Sequence, residues 1–369
     1  MKNLFLFIIS LLIYNIVFSQ CDGRYQTEIF NSITKTTVNY SDIYSDNEHT
    51  MDIYTPDGDT EINRPVILYL HGGSYTGGDK SLTDCVDFCE SMAKKGYVTA
   101  SLNYRLADLI SFLTSMETQY ETVLKSVADA KSAIRYFRKN YDNGNAYGID
   151  PNTIFIGGYS AGAVTAIHLA YIDLISDLPT SPINVQTIVN NVGGSNGLEG
   201  DAGNYGYSSD VSGVISFAGG INDVNWIDQN DEPLVSVQGT LDLTVNYNCG
   251  PGMNNPLILT LCGTGEMHPK ADNVGILNDK LIFNGTEHSW GASGNSNPKF
   301  LQAIDFTSDF LFPLLPCNNT TNISNLVNNN EKSLKMVVDI FGRRSNITKN
   351  KTLFFIYSDG SVQKKIIFN

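Results

Sequence analysis

From residue 65 the chain reads Pro-Val-Ile-Leu-Tyr-Leu, an unbroken apolar run of strand length that stops at His71-Gly72-Gly73. Comparable runs recur at residues 96–106, 154–159, 214–219, 233–239 and 280–283. Continuous rather than alternating apolar runs predict parallel strands covered on both faces. Helical periodicity fills the spaces between them. Residues 82–95 and 161–170 read as helices, and from 118 to 141 Tyr120, Leu124, Val127, Ile134, Phe137 and Tyr141 recur at helical spacing. Residues 298–312 predict a closing helix carrying Phe300, Ile304 and Leu311, with Asn297 at its N-cap and Pro298 at its first position. Ahead of all these, residues 29–44 and 49–55 are rich in Thr, Val and Tyr or alternate apolar with polar, and Pro56-Asp57-Gly58-Asp59 ends them. They predict an antiparallel hairpin. Strands alternating with helices imply an α/β fold, a mostly parallel central sheet with helices on both faces.

The pattern breaks in four places. Residues 190–210 and 246–265 are rich in Gly, Asn and Ser with little periodicity, and loops of that length predict rims or a lid over a site. Residues 318–331 have linker composition, mostly Asn, Thr and Ser. Beyond them, residues 332–369 predict a small β module of short strands, too small to bury much of a core unaided. Residues 1–20 place one Lys before an apolar run over 4–18, the layout of a signal peptide for export rather than of a stable membrane anchor. Gln20 stands where lipid attachment at Cys21 would want a small residue. The main body is thus expected over 21–317.

Export changes how the six cysteines are read: as disulfides before metal ligands. Cys249 and Cys262 flank a Gly/Pro/Asn-rich excursion that a bridge would staple, and Cys21 and Cys317 lie near the two ends of the body. Cys85 and Cys89, four residues apart on a helix, either pair under strain, bridge elsewhere or remain buried thiols. Formal net charge is −14, yet the tail from Glu331 holds eight basic residues against three acidic ones, so the body is more acidic than the total. Such a body repels phosphate backbones and anionic lipid, which argues against nucleic acid as a partner.

The chemistry centres on residues 154–162, Ile-Phe-Ile-Gly-Gly-Tyr-Ser-Ala-Gly, a buried strand running into Gly158-x-Ser160-x-Gly162. A serine in this setting sits on a sharp strand-to-helix turn that lifts its hydroxyl clear of the sheet. As a nucleophile Ser160 needs a base, and the base needs a carboxylate to hold its tautomer. Asp242 leaves the run at 233–239 and His288 leaves the run at 280–283, so both are expected at the carboxyl edge of the sheet in the order Ser, Asp, His. His268 is a rival base without a strand leading into it, His168 falls inside a helix and reads as a packed or half-buried side chain, and His49 sits at a strand edge and reads as solvated. The Gly-Gly turn after His71 lets backbone approach a reacting carbonyl, so the N–H groups of Gly73, Ser74 and Ala161 are the expected oxyanion donors, with His71 structural. Tyr75, Tyr159, Trp226 and Trp290 are candidate substrate-contacting aromatics, with a packing role the alternative for Trp226 and Trp290.

Taken together, His71-Gly72-Gly73-Ser74-Tyr75, Asn103-Tyr104-Arg105-Leu106, Tyr147-Gly148-Ile149-Asp150-Pro151, Gly158-Tyr159-Ser160-Ala161-Gly162 and Gly239-Thr240-Leu241-Asp242 resemble the secreted carboxylesterases of the α/β-hydrolase superfamily, over residues 40–312. The resemblance implies a serine carboxylic-ester hydrolase without metal or organic cofactor, with Ser160 as nucleophile, Asp242 as acid and His288 as base. A small-molecule or polymer ester is the implied substrate, with acetyl, feruloyl, acylglycerol and polyester substrates all open. Ser74 replaces the commoner third glycine, which narrows the room for esters of bulky tertiary alcohols. Serine peptidases share the superfamily and are the enzymatic alternative; a surface binding module is the non-enzymatic one. The tail, with Val338-Asp339-Ile340-Phe341-Gly342-Arg343 and Phe355-Ile356-Tyr357-Ser358-Asp359-Gly360, resembles the C-terminal domain that sends Bacteroidetes proteins through type IX secretion. That resemblance implies the type IX machinery as a partner and an extracellular or cell-surface location.

Overall fold

The computed structural model describes residues 21, 23–316, 334–338, 352–357 and 362–366. The signal-peptide, linker and Cys317 expectations, and the boundaries of the tail module, lie outside the described residues. The chain divides into Met1–Asn319 and Thr320–Asn369.

The first unit is built on one eight-stranded sheet. In chain order it comprises β1 (Ile33–Asn39), β2 (Thr50–Pro56), β3 (Arg64–Leu70), α1 (Thr83–Lys94), β4 (Val98–Leu102), α2 (Leu109–Thr114), α3 (Met116–Asp142), β5 (Ile149–Tyr159), α4 (Ala161–Tyr171) and α5 (Val185–Gly193). There follow β6 (Val214–Phe217), β7 (Leu234–Gly239), β8 (Cys249–Pro251), β9 (Thr260–Cys262), α6 (Thr264–Val274), β10 (Asn278–Phe283) and α7 (Pro298–Leu311). The sheet order is β1-β2-β4-β3-β5-β6-β7-β10. β1, β2 and β4 pair antiparallel, and every later pair is parallel. This is the α/β-hydrolase fold. The expected hairpin is the β1–β2 pair, and Asn297 caps α7 by accepting from the Lys299 N–H at 3.0 Å.

The unbroken apolar runs have the anticipated cause. All seven residues of β3 are buried. Val66, Leu68 and Leu70 face the layer formed with α3, α4 and α5, whereas Ile67 and Tyr69 face the layer of α1 and α7. Tyr141, at the end of the α3 stripe, is 39% exposed and lies beyond the core.

The segment 190–210 is not a lid. Its polar residues clamp it to α3: Arg135 donates to the Gly203 carbonyl at 2.9 Å and pairs with Glu199 at 2.6 Å, and Ser132 donates to the Ala202 carbonyl at 2.7 Å. Arg105 bridges Asp201 and the fully buried Asp129. Composition suggested a rim or a lid, but these side chains and backbone groups tie the segment to α3.

Cys249 and Cys262 form the disulfide across β8 and β9, where they are direct register partners. Cys85 and Cys89 are free thiols buried under α1, and burial pushes both thiols up. Their neighbour Asp84 is also buried, and burial raises its carboxyl from 3.8 to about 6 against hydrogen bonds from its own backbone and that of Cys85. A carboxyl raised on folding has the opposite sign to the common case. Its contribution is most favourable while protonated and is lost as pH climbs from the unfolded value through about 6. The shift corresponds to about 3 kcal/mol. Asp84→Asn is therefore expected to stabilise the protein at pH 8 by about that amount and to make no gain at pH 4, read as denaturation midpoints of the two proteins at each pH.

In the second unit β11 (Leu334–Val338), β12 (Thr352–Tyr357) and β13 (Val362–Ile366) form an antiparallel sheet in that order.

Candidate active site

β5 ends at Tyr159 and α4 begins at Ala161, so Ser160 alone makes the turn, at φ 54 and ψ −119. A non-glycine residue held there is strained and persists only where its surroundings over-determine it. They do. The Ser160 N–H donates to the Phe217 carbonyl at 2.8 Å, and its carbonyl accepts from the Val164 N–H at 2.9 Å. The flanking glycines follow from the same crowding: a Cβ on Gly158 would lie 2.6 Å from the Gly162 carbonyl carbon, and one on Gly162 would lie 2.1 Å from the Leu70 oxygen. The turn is thus packed directly against the end of β3, where the His71 loop begins.

β7 and β10 are parallel neighbours with Gly239 opposite Phe283, so the loops leaving them emerge side by side. The Thr240 N–H donates to the Phe283 carbonyl and the Leu241 N–H to the Thr286 carbonyl, tying the two loops together. Asp242 and His288 meet as a result. Asp242 Oδ2 accepts from His288 Nδ1 at 2.7 Å, and His288 Nε2 lies 2.8 Å from Ser160 Oγ. Asp242 Oδ1 accepts from the Thr244 and Val245 N–H groups at 2.9 Å each, so the buried carboxylate is oriented by backbone and presents its other oxygen to the imidazole. With Nδ1 carrying its proton toward Asp242, Nε2 is free to accept the serine proton.

The loop after β3 faces this group. Gly73 has φ 123, and a Cβ there would lie 2.0 Å from the Gly77 oxygen, so only glycine fits. Ser74 and Tyr75 follow with φ 53 and 62. Among the described residues neither the Gly73 nor the Ser74 N–H donates within the chain. Ala161 opens α4, where its N–H has no carbonyl of the preceding turn to meet. His71 supports the loop: its Nδ1 donates to the Gly72 carbonyl at 2.6 Å, its ring stacks on Tyr104 at 4.2 Å, and Tyr104 Oη donates to the His71 carbonyl at 2.7 Å. Burial pushes the His71 pKa down, in keeping with a neutral, structural ring.

The other histidines stand apart from Ser160. His268 Nδ1 meets Asn278 Oδ1 at 2.6 Å, and burial holds its pKa at about 4. His168 bonds the Val164 carbonyl and Asn222. His49 is buried rather than solvated, between Asp46 at 2.7 Å and Asp129 at 3.2 Å. Burial alone would lower its pKa; the two carboxylates outweigh that and raise it.

Of the four aromatic candidates, Tyr75 lines the pocket beside Ser160. Trp226 and Trp290 are packing residues. Trp226 packs on His168 at 5.6 Å and donates to the Asp177 carbonyl, and Trp290, 4% exposed, packs among Tyr159, Phe217 and Phe283. Tyr159 does not line the pocket, and its hydroxyl donates to the His288 carbonyl and accepts from the Gly291 N–H at 3.1 Å. It holds the turn that carries His288, a part sequence reasoning missed because a tyrosine between Gly158 and Ser160 says nothing of a partner 129 residues on. The pocket is otherwise lined by Ser74, Ala161, Phe112, Val164, Thr244 and Val245 and, from the excursion at 246–265, by Gly252, Met253, Ile258 and Leu261. That segment is a rim, as expected.

Among curated proteins, the chain is 33% identical to gut esterase 1 of Caenorhabditis elegans over 105 residues, covering 28% of this chain and 18% of that protein. It is 34% identical to phenmedipham hydrolase of Pseudarthrobacter oxydans over 122 residues (33% of this chain, 22% of that protein). To arylacetamide deacetylase of Bos taurus it is 30% identical over 175 residues (47% and 39%). The match thus spans between about a fifth and two fifths of those relatives' length. Among solved structures, a truncated carbohydrate esterase from gut microbiota superposes with TM-score 0.54 at 18% identity, over 78% of this chain and 97% of that one. The propionate-bound esterase Est2 of Thermogutta terrifontis does so with TM-score 0.53 at 20% identity, over 76% and 94%. These two establish likeness of fold. Residues 51–257, which hold the His71 loop, the Ser160 turn and Asp242, match the model of the BD-FAE family, and the chain belongs to that family.

Proposed function

We propose that the protein is a serine carboxylic-ester hydrolase working through an acyl-enzyme, with Ser160 as nucleophile, His288 as general base and acid, and Asp242 orienting His288. The observation that carries the proposal is the continuous hydrogen-bond chain from Ser160 Oγ through His288 to Asp242, at 2.8 and 2.7 Å. Family membership and relatives named as esterases support it. In this reading Ser160 Oγ attacks the ester carbonyl carbon while its proton passes to His288 Nε2. The negative charge that forms on the carbonyl oxygen is met by the N–H groups of Gly73, Ser74 and Ala161, and the last adds the positive end of the α4 dipole. As the carbonyl re-forms, the C–O bond to the alcohol breaks and Nε2 returns the proton to the leaving oxygen. Water then repeats the sequence on the acyl-serine, yielding the carboxylic acid and free Ser160. The test is hydrolysis of p-nitrophenyl acetate by the full chain beside Ser160→Ala; retained activity in the variant would sink the proposal.

Export belongs to the same reading. The apolar run at residues 4–18 and the sorting-domain resemblance of the tail support a protein secreted through the type IX machinery to the medium or the cell surface. Amino-terminal sequencing of the chain recovered outside its host cells is expected to begin near Cys21; an intact Met1 there would contradict it.

A further inference from the structure

We propose that the uncharged rim around the Ser160 pocket, with its protruding apolar side chains, is a docking face for the surface of an undissolved acylglycerol droplet, from which single ester molecules pass into the pocket. The inference rests on the serine-esterase reading and names the class and physical state of its substrate.

Two segments frame the pocket. Residues 109–116 bring Phe112 to its wall, and residues 243–265 bring Thr244, Met253 and Ile258. Neither segment holds an Asp, Glu, Lys, Arg or His, in a chain of which 17% is Asp, Glu, Lys or Arg. Asp108, Glu117 and Glu266 lie just outside them in sequence, and Asp242 is buried against His288.

Apolar side chains stand out from this frame. Ile110 is 73% exposed, Leu243 59%, Leu257 58% and Met253 41%. Met253 lines the pocket itself, Leu243 and Leu257 directly precede the lining residues Thr244 and Ile258, and Ile110 is two residues before Phe112 on α2. Hydrogen bonds join these segments. Gln119 Nε2 donates to the Phe112 and Leu257 carbonyls at 2.8 and 3.1 Å, and the Met253 N–H donates to the Thr244 carbonyl at 2.8 Å. The Cys249–Cys262 disulfide closes the hairpin between them. A single exposed leucine is ordinary, but four such side chains around one opening mark a contact surface.

What covers the face follows from where it lies. Anything resting on this rim also stands over Ser160, so the occupant is what brings the ester. A formal charge of −14 opposes an anionic bilayer. The four protruding side chains offer no hydrogen bond to the hydroxyls of a polysaccharide. Ser160 is 7% exposed, so the reacting ester has to leave the surface and enter the pocket. Molecules of a liquid acylglycerol do so singly, whereas a segment fixed in a solid polymer does not. Contact with the droplet takes apolar surface out of water without stripping water from a charged group in either segment.

The experiment uses the full chain. Ser160→Ala, which binds without consuming the droplets, is floated with triolein droplets in low salt and in about 1 M sodium chloride, which screens charge contacts. Phosphatidylglycerol vesicles and insoluble xylan are the comparison surfaces. Hydrolysis by the chain with Ser160 intact is read in parallel, as the ratio of rates on emulsified tributyrin and dissolved p-nitrophenyl acetate. We expect Ser160→Ala to bind droplets at both salt concentrations and to bind neither comparison surface. Ile110→Asp combined with Leu257→Asp is expected to weaken droplet binding, and to lower the rate ratio, about tenfold or more. Ile110→Asp alone, at the most exposed of the four, moves both the same way by a smaller factor and serves if the double variant does not fold. Droplet binding lost in high salt, equal retention on vesicles or xylan, binding and ratio unmoved in the folded variants, or a dimer of the chain that the substitutions dissolve would overturn the docking face. Hydrolysis of p-nitrophenyl acetate that depends on Ser160 would leave the esterase reading intact in each of those cases. No hydrolysis of any ester, with Ser160→Ala indistinguishable from the unaltered chain, would overturn both.

Discussion

Ser160→Ala is expected to lower kcat on p-nitrophenyl acetate by at least about a thousandfold, and adding His288→Ala to it is expected to cost almost nothing more. The two losses overlap because the groups act as one. His288 Nε2 lies 2.8 Å from Ser160 Oγ and its other nitrogen is committed to Asp242. Without the hydroxyl the base has no proton to take, and without the base an alcohol does not attack at neutral pH. In the proposed mechanism, what remains in either variant is the acceleration from the loop of Gly73 and Ser74 and the start of α4, which in serine hydrolases leaves about a thousandfold over water. Single-turnover rates of both single variants and the double variant measure the coupling. Losses that multiply would mean that Ser160 and His288 serve separate steps, and the mechanism proposed above would have to be given up.

Gly162→Ala is expected to destabilise the protein by about 3 kcal/mol or more and to abolish whatever hydrolysis the chain performs. The added methyl would sit 2.1 Å from the Leu70 oxygen and 2.7 Å from the His71 oxygen. Both are backbone atoms, so no rotamer change relieves the contact. Leu70 ends β3 at the centre of the sheet and is paired with Gly158, which leaves α4 as the element that must shift. Moving α4 displaces Ser160 from its strained turn and Ala161 from its place opposite the His71 loop, so activity and stability fall together. Gly144→Ala, at a loop glycine with φ 108 and nothing within 4 Å of its would-be Cβ, separates backbone strain from crowding. It is expected to cost about 1 kcal/mol and leave hydrolysis intact. Chemical denaturation and ester hydrolysis on the same samples read both; a Gly162→Ala protein as stable as the parent would show that the turn and β3 are not packed as described.

Much of the site was legible in the chain because its key residues are close to strand ends. Ser160 follows an apolar run directly, Asp242 follows Gly239 by three residues, and His288 follows Phe283 by five. A run buried on both faces predicts a parallel strand, and parallel strands send their carboxyl ends to one edge, so order along the sequence translates into placement along that edge. The glycines around Ser160 were equally readable, since the lack of a Cβ is a statement about neighbours. Where reasoning went astray, the error came from treating composition as behaviour. The Asn- and Gly-rich stretch at 190–210 suggested a rim or a lid, but Arg135, Ser132 and Arg105 reach it from α3 and from the turn after β4 and bind Glu199, Asp201 and the Ala202 and Gly203 carbonyls. For Trp226 and Trp290 the chain left pocket and packing both open, and contacts with His168 and with Phe283 settle packing for each.

The sequence by itself determined the period-based elements, the nature of the Ser160 turn and the identity of the residues at the sheet's edge, because each depends on neighbours a few positions away. Only the tertiary structure decided which histidine faces Ser160, that Tyr159 holds the turn bearing His288, that His49 is buried between two carboxylates, and how much room remains beside the serine. Each of these depends on at least one group far away in the chain, such as Asp129 meeting His49 or Tyr75 meeting Thr165. Local propensity carries no information about such meetings, which arise when close packing of the whole domain leaves each side chain one place to go.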